Sequence, residues 1–451
     1  MPFEGEFAGY RALRRITETE RVQQLLRRAQ VYVPGASGPT ITPSAPPEAE
    51  EPLPEFIVAI DGSNQEVAVK TGYPGAQIGY LTVASVLLDL GAVDRLDAAR
   101  PADPVAFRKT EEAATIDAAL PGSNVVTRTH KSAKVAFREE LFEVFHNEVV
   151  DVQDRVPLLD TYEVLLACKP TTRPQSCPYE ELGCDQSFVI GRGLSACPCT
   201  ERRSIWSTDA LRIHERFHDV GTNGEAFGEV MQVWERVLLI HLLRAFERRG
   251  LLAQAHRLAF LVDGPLALFG HPAWLSAAIS AELQRINAEV QRLTGRDLLI
   301  VGVEKTGTFV THFDEIDQTE EPGKERFSPH SYFLPTDHYI KQRIIYSDSP
   351  KRYGMDTYFG RKFFYKTRSG ARIVASIPFL DAAQDTLDSD DVGLYPSFGT
   401  VCALLDKLVS CRYPNALAPL VSAHAQAAIP LHLGAKVLEQ LAHALMRTRD
   451  R

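Results

Sequence analysis

Hydrophobic and polar positions divide the chain into helical, extended and strand-forming stretches. In residues 9–30, GYRALRRITETERVQQLLRRAQ, charged side chains surround an apolar stripe, which predicts an amphipathic helix. Residues 34–54 hold seven prolines and no sustained periodicity, so an extended connector follows the N-terminal helical region, 1–33. Residues 56–60 are all apolar and read as a buried strand that ends on Asp61, Gly62 and Ser63. HRLAFLVDGPLALFG (256–270) repeats the pattern, an apolar run closed by Asp263 and Gly264. Between them a largely apolar helix over 227–250 sets Glu235 among Trp234, Val237 and Leu238, and a helix over 272–293 leads to a third strand, DLLIVGVEKTG (297–307). The order strand, helix, strand, helix, strand predicts an α/β domain with parallel neighbours. RKFFYKTRSGARIVASIP (361–378) reads as a hairpin turning at Ser369 and Gly370, and the last 40 residues read as helical.

Composition narrows the class. With 451 residues, 45% hydrophobic and 24% charged, the chain has the make-up of a globular protein with one large domain or several. No apolar run reaches the roughly 18–20 residues that span a bilayer, and the first residues lack a signal-peptide core, so a cytoplasmic setting is expected. The net charge of -9 means that contact with a nucleic acid requires a local basic patch. Five of the seven cysteines fall within 32 residues, a crowding that points to metal rather than disulfides.

A carboxylate at the end of a buried strand costs several kcal/mol unless something positive meets it. Two aspartates at strand ends and a glutamate on the intervening helix form the set that holds Mg²⁺ or Mn²⁺ for two-metal phosphoryl transfer. The plainer reading is that each Asp-Gly makes a turn. Glu247 is a second candidate for the helical glutamate, although its polar setting in FERRG suits a surface ion pair.

AIDGS, GYPGAQIGY, LVDGPLALFG, GVEKTG and LAPLVSAHAQA, in this order over roughly residues 55–440, resemble the NurA nucleases. The resemblance implies an RNase H-like core, a mixed sheet with flanking helices, here carrying an inserted cysteine-containing subdomain. It also implies Mn²⁺- or Mg²⁺-dependent cleavage of DNA, a homodimer, and action with the hexameric ATPase HerA in end resection. Asp61 and Asp263 match the family's metal-binding aspartates and His424 its late histidine, a candidate to ligate the metal or move a proton, the alternative being an ordinary histidine on an alanine-rich helix. The helical glutamate falls on Glu235 or Glu247, with burial favouring Glu235. Lys305 is placed to meet the scissile phosphate, the alternative being an ordinary strand-end lysine.

The span 341–372 has nine Lys/Arg against two Asp, interleaved with aromatics, and is the expected strand-holding patch. Its candidates are Lys341, Arg343, Arg361, Lys362, Lys366, Arg368 and Arg372, with Phe363 and Tyr365 for stacking; the alternative is a solvated hairpin with an aromatic core face. Cys177, Cys184, Cys197 and Cys199 are candidates for Zn²⁺ or an iron–sulfur cluster, although their spacing matches no standard finger. His214–Glu215–His218 formally matches a zinc-peptidase helix, with His214 alternatively an extra ligand for the cysteines. The expected division is residues 55–150 and 225–451 for the core, including the 341–378 hairpin, and 151–224 for the insertion. A non-catalytic DNA-binding adaptor is the rival function.

Overall fold

A computed structural model describes residues 10–29, 41–49, 52–69, 75–91, 111–150, 155–169, 174–319, 321, 323–409 and 415–428. The amphipathic stretch forms two helices, α1 (Tyr10–Glu18) and α2 (Glu20–Arg28), broken at Thr19. Three long strands follow, β1 (Phe56–Ala68), β2 (Gln77–Asp89) and β3 (Glu111–Pro121), then helices α3 (Ala133–Asn147) and α4 (Leu158–Ala167). The cysteine region holds two small hairpins, β4 (Gln175–Ser176) with β5 (Ser187–Phe188), and β6 (Leu194–Ala196) with β7 (Ser204–Trp206). Helix α5 (Gly224–Arg248), β8 (Leu258–Asp263), α6 (Leu275–Thr294) and β9 (Leu299–Glu304) realise the expected alternation. Next come α7 (Thr308–Asp317), β10 (Ser331–Phe333), α8 (Asp337–Arg343), and the hairpin β11 (Gly360–Lys366) and β12 (Arg372–Pro378). Helices α9 (Phe398–Leu408) and α10 (Ala418–Ala427) follow, and the rest of the C-terminal stretch expected to be helical lies outside the described residues.

Eight strands share one sheet in the order β10-β11-β12-β9-β8-β1-β2-β3. β1, β2 and β3 are antiparallel, while β8 and β9 run parallel to β1, which is the mixed arrangement of an RNase H-like core. Because side chains alternate along a strand, β1 contributes Val58 and Ile60 to one core and Ile57 and Ala59 to another. The first core is roofed by α3, α4, α5 and α6; the second contains α9 and α10.

One expectation changes. β1 does not end on Asp61, Gly62 and Ser63 but runs on to Ala68 paired with β2, so only its partner β8 ends there. The cysteine-containing region packs closely on the rest of the chain: Cys177, Tyr179, Cys184, Cys197 and Trp206 join the same core as α3 and α5. Arg138 of α3 clasps buried Asp209 through two hydrogen bonds of 2.7 Å and ties this region to the sheet. The proline-rich connector also docks, with Ser44 bridging to Tyr332 of β10.

Candidate functional site

The parallel register explains why the two aspartates meet. Ile60 pairs with Val262, so Asp61 and Asp263 are the next residues of adjacent strands, which run roughly 4.8 Å apart. By alternation both share the face of Ile57, Ala59, Ala259 and Leu261. β8 then leaves the sheet through Gly264, whose φ of 76° is the left-handed region that glycine adopts without strain. Asp61 is buried, and the positive group demanded by its burial is Lys305, just past β9. Lys305 Nζ lies 2.8 Å from Asp61 Oδ2 and 3.0 Å from Asp263 Oδ1, the latter an ion pair without hydrogen-bonding geometry. His424, from α10, places Nδ1 3.2 Å from Asp61 Oδ2 while its side chain stays 58% exposed. Burial, then the charge of Asp263, pushes the Asp61 carboxyl above its usual range against the pull of Lys305. The two carboxylates in turn push the Lys305 ammonium up, outweighing its own burial.

Glu235 comes from α5, which covers the opposite face of the sheet from Asp61. It reaches the strand because the residue beside Asp61 has no side chain: a Cβ on Gly62 would lie 2.7 Å from Glu235 Oε1 and 2.7 Å from Met231 Cγ. Burial pushes its carboxyl up to about 8; Arg236 opposes this, Asp61 and Asp263 add to it, and the nearby Gly62 backbone opposes it. Arg236 is the residue missed by sequence reasoning. Fully enclosed, it lies 3.2 Å from Glu235 Oε2 and donates to the carbonyls of Asp263 and Pro265, so it fixes the turn after β8. Its signal was a second ionisable group in an otherwise apolar helical run. Glu247 is elsewhere, in a two-pronged pair with Arg285 at 2.7 Å.

The basic hairpin is not an open groove. β11 lies between β10 and β12 with both faces covered, Phe363 and Tyr365 in one core and Phe364 in another, so alternation leaves no free side. Its cations are occupied inside the protein. Lys362 pairs with Glu304 at 2.6 Å, and Lys366 with Asp317 at 2.7 Å and Glu325 at 2.6 Å. Arg361 donates to the carbonyls of Thr386 and Ser389. Arg372 is held by Asp314, Asp317 and Glu325, and Lys341 by Asp337. Arg343 ends α8 half-buried near Tyr339. Arg368 alone of the β11–β12 set is well exposed, and it pairs with Asp406. These residues are structural ion pairs and core rings, not the expected strand-holding patch.

The peptidase pattern also dissolves. Arg212, at φ 61°, breaks the chain into a four-residue 3-10 turn, Ile213–Arg216, so His214 is buried and His218 exposed instead of sharing a helical face. Burial lowers the His214 imidazole to about 4, and Glu215 is engaged by Arg212. His214 is not among the cysteine sulfurs either: its near carboxylate is Asp209, at 4.0 Å. Cys177, Cys184 and Cys197 do converge, and among the described residues they are the one group of metal-binding side chains whose ligand atoms all lie within 4.8 Å of one another. Asp61 and Asp263 are gathered around the Lys305 ammonium, whereas Glu235 pairs with Arg236. The open cleft of about 990 Å³ beside Lys169, Arg212 and Trp274 contains none of the five residues Asp61, Glu235, Asp263, Lys305 and His424.

The NurA domain family matches residues 200–429, which include Glu235, Asp263, Lys305 and His424 but start after Asp61 and the four cysteines. Among solved structures, the NurA nuclease from Sulfolobus solfataricus is similar at 11% identity over 97% of each chain, with a TM-score of 0.32. No curated protein matches. Because the domain match spans a little over half of the chain, the protein belongs to the NurA family and is a DNA nuclease.

Proposed function

We propose that the chain hydrolyses DNA phosphodiester bonds with divalent metal ions held by Asp61, Glu235 and Asp263, assisted by His424 and Lys305. The observation that carries this reading is the meeting of Asp61 and Asp263 around Lys305 at the carboxyl end of parallel strands, with buried Glu235 reaching the same strand at Gly62 from the other face, near enough for their charges to raise its carboxyl. An adaptor has no use for such a set, since each buried carboxylate costs stability without a cation. The donors fit the ions: hard carboxylate oxygens suit Mg²⁺ or Mn²⁺, and Lys305 already supplies a positive charge between Asp61 and Asp263. When bound, such ions activate a water and stabilise the leaving oxygen.

The protein's own groups have separate tasks. Lys305 presents a point charge that can pass from the carboxylates to the scissile phosphate. His424 has Nδ1 against Asp61, which leaves Nε2 to accept or return a proton at the reacting oxygens. Arg236 holds the Asp263 turn and so keeps that carboxylate in register with Asp61. The proposed setting is the end of a DNA duplex, in double-strand break resection or phage defence, with a HerA-like hexameric ATPase and a second copy of this chain. Exposed Ile16, Leu25 and Leu26 on α1 and α2 offer apolar surface for a partner. The test is Mn²⁺-dependent degradation of linear duplex and single-stranded DNA: wild type degrades DNA and Asp61→Ala does not. Equal activity in the two overturns the assignment.

A further inference from the structure

Outside the carboxylate site, the most concentrated unused chemistry lies where the two hairpins β4–β5 and β6–β7 meet. Cys177 and Cys184 flank the loop of the first, and Cys197 and Cys199 start the loop of the second. Cys197 Sγ is 3.5 Å from Cys177 Sγ and 3.6 Å from Cys184 Sγ, and all three sulfurs are buried. Cys199, half-buried and two residues after Cys197, stands outside this tight group of three and is the candidate for a fourth ligand.

We propose that Cys177, Cys184, Cys197 and Cys199 bind one structural Zn²⁺ as a tetrahedral tetrathiolate that clamps the two hairpins together. Zn–S bonds of about 2.3 Å in a tetrahedron separate the sulfurs by about 3.8 Å, close to the contacts observed. A disulfide requires about 2.05 Å. An iron–sulfur cluster spreads its cysteines around a core of several irons and sulfides, whereas the Cys197 sulfur touches those of Cys177 and Cys184.

The secondary structure around the cysteines points the same way. The hairpins have only two and three paired positions, so strand pairing by itself holds their loops weakly and leaves a role for a cross-link between them. On binding, four S–H bonds break, four protons pass to solvent, and four Zn–S bonds form with no change of oxidation state. Tyr179, in the first loop, lies under the Arg138 guanidinium at 4.4 Å, so the clamp bears on α3 through that ring.

The experiment is metal analysis of the full chain purified without added metal, joined to Co²⁺ substitution. About one zinc per chain is expected, and the Co²⁺ form should show thiolate-to-cobalt charge transfer and the strong visible bands of a tetrahedral site. Cys197→Ser and Cys199→Ser should lose the metal, and Cys168→Ser, outside the set, should keep it. Should the first two variants misfold, the wild-type Co²⁺ spectrum decides. Protein that contains no zinc and takes up none, a Co²⁺ spectrum without thiolate bands, iron with acid-labile sulfide, or a disulfide among the four cysteines each overturns the proposal.

Discussion

Replacing Glu235 by Gln should invert the order of stability of the two proteins according to pH and metal. Glu235 is fully enclosed and its carboxyl is pushed from 4.5 up to about 8. Below pH 4.5 it carries a proton both folded and unfolded. Between 4.5 and 8 the folded chain keeps a proton that the unfolded chain has lost, so metal-free stability falls as pH rises. The slope is about 1.4 kcal/mol per pH unit, and the whole window amounts to about 5 kcal/mol. The amide of the Glu235→Gln variant has no such proton to lose, and the raised Asp61 carboxyl is common to both chains. Urea melts in EDTA from pH 5 to 8.5 should therefore show near-equal stability at the acid end and a variant several kcal/mol more stable near pH 8. In Mn²⁺ the order reverses, because only the carboxylate gains a cation. Parallel pH profiles in EDTA would refute the reasoning, and so would a variant stabilised by Mn²⁺ as much as wild type.

Gly62→Ala should cut Mn²⁺-dependent cleavage at least tenfold and cost about 1–3 kcal/mol, because its Cβ displaces Glu235 or Met231; wild-type turnover in single-turnover assays would count against the notch. Lys366→Ala should destabilise the fold by about 1–3 kcal/mol by removing one of the two cations that hold buried Asp317 while leaving DNA affinity unchanged, which thermal melts and fluorescence anisotropy in Ca²⁺ check together; weaker DNA binding with unchanged melting would restore the hairpin as a DNA contact.

The sheet core was legible because its signals are local. Apolar runs closed by Asp61 and Asp263, with apolar helices between, prescribe parallel strands, and parallel register brings strand ends together. Pairing across the sheet was not legible. Nothing near Asp61 shows that β1 continues, since only β2, from the opposite side, carries it on to Ala68. The hairpin cations were misread for a related reason: Glu304, Asp317, Glu325 and Asp406 lie far from them in sequence and nearby only in the fold. Spacing implied a helix at His214–His218, but the left-handed Arg212 interrupts it, a backbone choice that composition does not announce. Gly62 was visible only as half of an Asp-Gly pair; its purpose emerges where α5 crosses β1. The cysteines matched no standard spacing because two separate loops supply them.

The central claim, that Asp61, Glu235 and Asp263 hold the ions, is tested most directly by Mn²⁺ titration followed by electron paramagnetic resonance, in which bound ion is counted for wild type, Asp61→Ala and Asp263→Ala. Wild type should bind Mn²⁺ stoichiometrically, with affinity rising from pH 6 to about 8 as Glu235 gives up its proton, and each variant should lose that binding while its circular dichroism is unchanged. Folded Asp61→Ala or Asp263→Ala protein that binds Mn²⁺ with wild-type stoichiometry and affinity would contradict the account.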